Sequence, residues 1–86
     1  MDRILRRAHN RLSYRECEVL KGIAEGLSSK EIANHLCITA KTADNHASSI
    51  CSKLEATNRV HAAIQGIAAN IILIKNGRIV IGKGRL

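Results

Sequence analysis

The decapeptide TAKTADNHAS, residues 39–48, sets Lys41, Thr42, Asp44, Asn45, His46 and Ser48 close together along the chain. These side chains are short and mostly neutral, so the chemistry they offer is hydrogen bonding. An asparagine amide presents a donor beside an acceptor and can pair twice with adenine. A serine hydroxyl suits several bases, and an aspartate can accept from a cytosine amine. Catalysis is not expected, because no nucleophile, base and orienting carboxylate are arranged together in the sequence.

Other chemistries fall away on spacing. His9, His35 and His61 have no partner at metal-ligand spacing, so no metal site and no cofactor is expected. The GKG of IGKGRL lacks the spacing and the Ser/Thr of a phosphate-binding loop. Cys17, Cys37 and Cys51 are odd in number and form no C-x-x-C, which argues for reduced thiols rather than disulfides or zinc. Cys37 and Cys51 are expected to pack as small apolar groups. Cys17 follows Arg15 and Glu16 on the side of its helix expected to be more exposed, which makes it the thiol to test with an alkylating reagent. With one Tyr and no Phe or Trp, the chain lacks the aromatic platforms of a single-strand binder.

The same composition forces the core of this 86-residue chain to be built from Leu, Ile, Val, Ala and Cys, as in packed helices. Ser13 with Glu16 forms a capping box, and apolar residues at helical spacing up to the Gly26 stop predict helix 1 over about 13–25. Ser28 with Glu31 repeats the signal for helix 2, which ends near Leu36. Thr39 can cap helix 3, about 40–54, whose Ala43, Ala47, Ile50 and Leu54 share a face. Thr57 or Asn58 can cap helix 4, which runs to Asn70. Beyond it, two β-branched runs flank Asn76-Gly77 and predict a hairpin, Ile71–Lys75 with Arg78–Ile81. An isolated hairpin is marginal, so a loosely ordered tail is the alternative. The expected class is all-α: four helices with a short C-terminal hairpin or tail.

Charge divides the chain the same way. Of the net +7, residues 1–11 carry +3 and residues 71–86 carry +4, while residues 12–70 balance six bases against six acids. The expected organisation is a basic N-terminal arm (1–11), a helical domain (12–70) and a basic C-terminal extension (71–86). Arg3, Arg6, Arg7, Arg11, Lys75, Arg78, Lys83 and Arg85 could then reach phosphates as arms, or serve only solubility. No secretory signal or membrane-length apolar run is visible, so a cytoplasmic protein without a membrane partner is expected.

A short helix, a tight connection and a longer helix form the helix-turn-helix pattern. The residue types sharpen it: LSxRExEVL at Leu12–Leu20, IAEGLSSKEIA at Ile23–Ala33, Leu36, Ile38 and Thr39, Lys41-Thr42 with His46, then Ile50, Lys53 and Leu54, and NRxxAA from Asn58. Over residues 12–63 this resembles the LuxR-type (GerE-like) DNA-binding domain of bacterial transcription regulators. The resemblance implies a four-helix domain that binds double-stranded DNA in a sequence-specific way, with helix 3 in the major groove. Residues at the positions of Lys30, Thr42 and Lys53 hold the phosphate backbone in family members, and those at Asp44, Asn45 and Ser48 lie in the groove. His46 matches the family's usual histidine, with a structural or phosphate-contacting role. Many members carry a basic residue where Asp44 stands, often another at Ser48, and usually a valine at Ala43.

Helical geometry agrees. At 100° per residue, Lys41, Asn45, Ser48, Ser49 and Ser52 lie opposite the apolar stripe, with Thr42, Asp44 and Lys53 at its borders. The resemblance thus implies Asp44, Asn45 and Ser48 as the expected base readers, and with this face it makes Lys30, Lys41, Thr42, His46, Ser49 and Lys53 the expected backbone contacts. The alternative is a degenerate helix-turn-helix kept as a protein-interaction module.

Helix 4 carries two apolar stripes, which is one more than a small monomer buries. The family register turns Ala62, Ala63 and Gly66 inward and leaves Val60, Ile64 and Ala68 for a homodimer, unless the hairpin folds over them. The family usually attaches a signalling domain upstream, which joins the expected partners if this chain is part of a longer protein.

Overall fold

A computed structural model describes residues 12–82. The basic arm 1–11, and with it His9, together with Lys83 and Arg85, lie outside the described residues. Within the described span, four helices are followed by two strands: α1 (Tyr14–Ala24), α2 (Ser29–Leu36), α3 (Ala40–Lys53), α4 (Arg59–Ala68), β1 (Ile72–Lys75) and β2 (Arg78–Ile81).

Local chemistry sets the helix starts. In α1, the Glu16 amide donates to Ser13 Oγ at 3.1 Å and the Ser13 amide to Glu16 Oε1 at 3.0 Å, closing the capping box. Ser28 and Glu31 do the same for α2. Thr39 caps α3 by accepting from the Thr42 amide at 3.0 Å. Asn58 is the cap of α4, accepting from the His61 amide at 2.8 Å, whereas the Thr57 amide donates to His61 Nδ1. Each such cap is worth about 1 kcal/mol.

The core is aliphatic, as the composition requires: Val19, Leu20, Ile50, Leu54, Ile71 and Ile72 are fully buried. Helix α4 lies close to α1 because it presents Ala62 and Gly66. A Cβ on Gly66 would stand 2.7 Å from Leu20 Cδ2, so no larger residue fits without displacing the core.

The C-terminal segment is a hairpin rather than a loose tail. Strands β1 and β2 pair antiparallel, Ile72 opposite Ile81 and Lys75 opposite Arg78. Asn76 and Gly77 both take positive φ, at 52° and 75°, as a tight two-residue turn of the favoured hand requires. What makes so short a hairpin stable is its anchor: Ile71 and Ile72 belong to the helical core. The Gly82 amide donates to the Ile71 carbonyl at 2.7 Å, and a Cβ at Gly82 would come within 2.0 Å of the Asn70 carbonyl oxygen.

The cysteine expectations need correction. Cys17 is fully buried and Cys37 is exposed, the reverse of the pattern expected from the sequence. Helix α1 is covered by the other helices and by the hairpin, so its buried arc is wider than a single stripe and takes in Cys17. Cys37 ends α2 in a left-handed conformation, φ 58°, which turns it out of the core. Cys51 packs partly buried against the core, as expected.

Candidate nucleic-acid interface

Helices α2 and α3 are joined by residues 37–39 and pack on each other, forming the helix-turn-helix. Ala43, Ala47 and Ile50 of α3 meet Ile32 and Ala33 of α2 within the core. The opposite side of α3 is polar. Lys41, Asp44, Asn45, Ser48 and Ser52 are exposed, Thr42, His46, Ser49 and Lys53 are half-buried, and Lys30 stands exposed on the first turn of α2. The expected base readers thus share one accessible surface.

The far end of that surface is tied down. Glu16, only 6% exposed, accepts from Lys53 Nζ at Oε1 and from Ser49 Oγ at Oε2, both at 2.8 Å. One carboxylate therefore caps α1 and fixes the last turns of α3. Burial pushes the Glu16 carboxyl up, but the bonds from Lys53, the Ser13 amide and Ser49 outweigh it and hold the pKa below its ordinary value. Ser49 and Lys53, expected at phosphates, are thus also structural; an ammonium has three donors, so Lys53 can serve Glu16 and a phosphate together. The sequence shows Glu16 only as a cap, because its other partners stand 33 and 37 residues away.

The near end is tied by a second link. Arg59 Nη1 donates to Ser29 Oγ at 2.8 Å, Arg59 Nη2 to the Leu27 carbonyl at 3.3 Å, and Ser29 Oγ donates to Asp44 Oδ1. Three helices meet in this chain of bonds. Neither Ser29 nor Arg59 was among the expected site residues.

Residues 10–65, well over half the chain, match the family described as "Bacterial regulatory proteins, luxR family". The chain belongs to this family. It is 46% identical over 56 residues to the transcriptional regulatory protein LiaR of Bacillus subtilis, covering 65% of this chain and 26% of LiaR. It is also 46% identical over 61 residues to the response regulator protein VraR of Staphylococcus aureus and of Staphylococcus epidermidis, covering 71% of this chain and 29% of VraR. The chain therefore spans less than a third of the length of these curated relatives.

The helix-turn-helix is accordingly a LuxR-type DNA-binding domain, a transcription-regulation module and not an enzyme. The match stops at residue 65, inside α4, so the hairpin lies beyond it. On α4 of this LuxR-type domain, Val60 is 70% exposed and Ile64 57%, and Ile67 and Ala68 are also exposed along the same side. The hairpin packs on α1 and the opposite side of α4, leaving this stripe open. No helix among the described residues is long and apolar enough to cross a membrane.

Proposed function

We propose that this LuxR-type domain binds double-stranded DNA sequence-specifically within a bacterial transcription regulator, as a homodimer on a two-fold-symmetric site. Helix α3 enters the major groove; Asp44, Asn45 and Ser48 read bases, and Lys30, Lys41, Thr42, His46, Ser49 and Lys53 hold the backbone. The observation that carries this reading is the division of α3 into an alanine-lined core side and an exposed hydrogen-bonding side, anchored at both ends by side chains from other helices. A groove reader needs that combination, because base recognition by hydrogen bonds demands fixed donor and acceptor positions.

Dimerisation is supported by Val60, Ile64 and Ala68, an exposed apolar stripe that the hairpin leaves uncovered. A two-fold contact would bring two copies of α3 to half-sites about one helical turn of DNA apart. A signalling domain joined upstream fits this arrangement, as it would control pairing of the two copies.

Binding-site selection from random duplexes, run at two salt concentrations, tests the proposal. The expected result is an enriched inverted repeat retained at the higher salt. Salt-sensitive retention without any enriched sequence would overturn sequence-specific reading, and no retention of DNA at either salt would leave a fold kept for protein interaction.

A further inference from the structure

Asp44 is the most unusual residue on the proposed reading face, because a carboxylate beside DNA is repelled by phosphates unless a donor meets it. Its surroundings in the structure say how that repulsion can be turned to use. The guanidinium of Arg59 has donors only, so toward Ser29 Oγ it must donate. The Ser29 hydroxyl, having accepted from Arg59, directs its own proton to Asp44 Oδ1. The polarity of the chain is thereby fixed from cation to carboxylate, and a bond polarised by a cation is a stronger donor than a free hydroxyl.

Two consequences follow for the carboxylate. With Oδ1 held by Ser29, the side chain of the exposed Asp44 is restrained to the arrangement that keeps this bond. Part of the negative charge is also answered from within the protein by Arg59, across one hydroxyl. An acceptor that is preset in direction loses little rotamer freedom when a base amine meets it.

We infer that Asp44 is an amine reader specific for cytosine N4, and that Ser29 and Arg59 are its positioning residues, forming a relay from α4 through α2 to α3. This rests on the reading that α3 enters the major groove. The relay makes discrimination at one base pair depend on residues that need not touch DNA. Without it, Asp44 still approaches the groove but swings between rotamers and repels every sequence alike.

The test is binding-site selection with the whole chain and with Asp44→Ala, Ser29→Ala, Ser29→Thr and Arg59→Gln, alongside helical circular dichroism and thermal melting for each. Asp44→Ala is expected to erase a cytosine preference at one position of each half-site, by about tenfold. Ser29→Ala and Arg59→Gln are expected to erase the same preference at the same position, while preferences elsewhere and the salt slope stay unchanged. Ser29→Thr keeps the hydroxyl and should restore it. In combination, Ser29→Ala with Asp44→Ala should lose no more preference than Asp44→Ala alone. Ser29 lies inside the first turn of α2 while Ser28 is its cap, so the helix start survives the change.

If the unaltered chain enriches no sequence, the groove reading fails and the relay with it. If the unaltered chain selects a site, but Asp44→Ala leaves every base preference intact, or Ser29→Ala and Arg59→Gln weaken all sequences equally, the relay alone is overturned.

Discussion

Helices α3 and α4 are built on the same plan and end with opposite surfaces. Each buries small residues, Ala43 and Ala47 in one, Ala62 and Gly66 in the other, so that neighbouring elements can approach closely. Outside, α3 shows Lys41, Asn45 and Ser48, whereas α4 shows Val60, Ile64 and Ala68. The buried sides say only that both helices belong to one core. The exposed sides differ in what they can satisfy: hydrogen-bonding groups at fixed positions suit base edges, and an aliphatic stripe suits another aliphatic surface. The end links add to the contrast, since α3 is held through Glu16 at one end and through Ser29 at the other.

The largest expected effect tests the apolar side. Ile64→Asp should weaken dimerisation by about 3 kcal/mol, more than a hundredfold, because it would leave an unpaired carboxylate in the seam. Analytical ultracentrifugation would read a monomer, and the melting temperature of the isolated domain should change little because Ile64 is exposed. Unfolding of the domain instead would mean that the stripe serves the chain's own core, and the contrast between the two helices would disappear.

Next is the anchor of α3. Glu16→Gln is expected to cost about 2 kcal/mol of stability near neutral pH, since charge-assisted bonds to Lys53 and Ser49 are lost or weakened. The sign with pH follows from the depressed pKa of Glu16. A carboxyl held below its ordinary value in the folded state stabilises fully above the unfolded value, about pH 4.3, and that contribution fades as pH falls through the folded value. Melting curves of both proteins from neutral pH downward should therefore converge in acid. A gap that stays constant would show that Glu16 acts by shape and not by charge.

Smaller still is the expected effect on reading. Asn45→Ala should reduce discrimination at one base pair by about tenfold, or about 1.4 kcal/mol, without altering the oligomeric state. Competition with single-base operator variants measures it. An unchanged preference would mean that the polar side of α3 does not face base edges. The smallest change is expected at the backbone: Lys30→Gln should weaken all sequences about equally and lower the slope of log affinity against log salt by about 1.

Much of the fold was legible in the chain because it is written in short-range chemistry. Ser13 with Glu16, Ser28 with Glu31, and Thr39 start helices by bonds that span three residues. Asn76-Gly77 specifies its own turn. The polar side of α3 was legible for the same reason, since the apolar stripe of a helix defines its opposite side. The hairpin's stability was not, because it depends on Ile71 and Ile72 entering a core formed by residues far away in sequence. Cys17 was misjudged for a related reason: how wide an arc of α1 is covered depends on how many elements pack around it.

By itself, then, the sequence determined the helices, the turn, the family and the polar side of α3, all of which follow from neighbours along the chain or from residue types at fixed offsets. Only the tertiary structure decided what those side chains are tied to. Glu16 meets Lys53 across 37 residues and Arg59 meets Ser29 across 30. Such partners are chosen by helix packing: a hydrogen bond forms only when the folded backbone brings donor and acceptor within about 3 Å, and no local pattern encodes that approach.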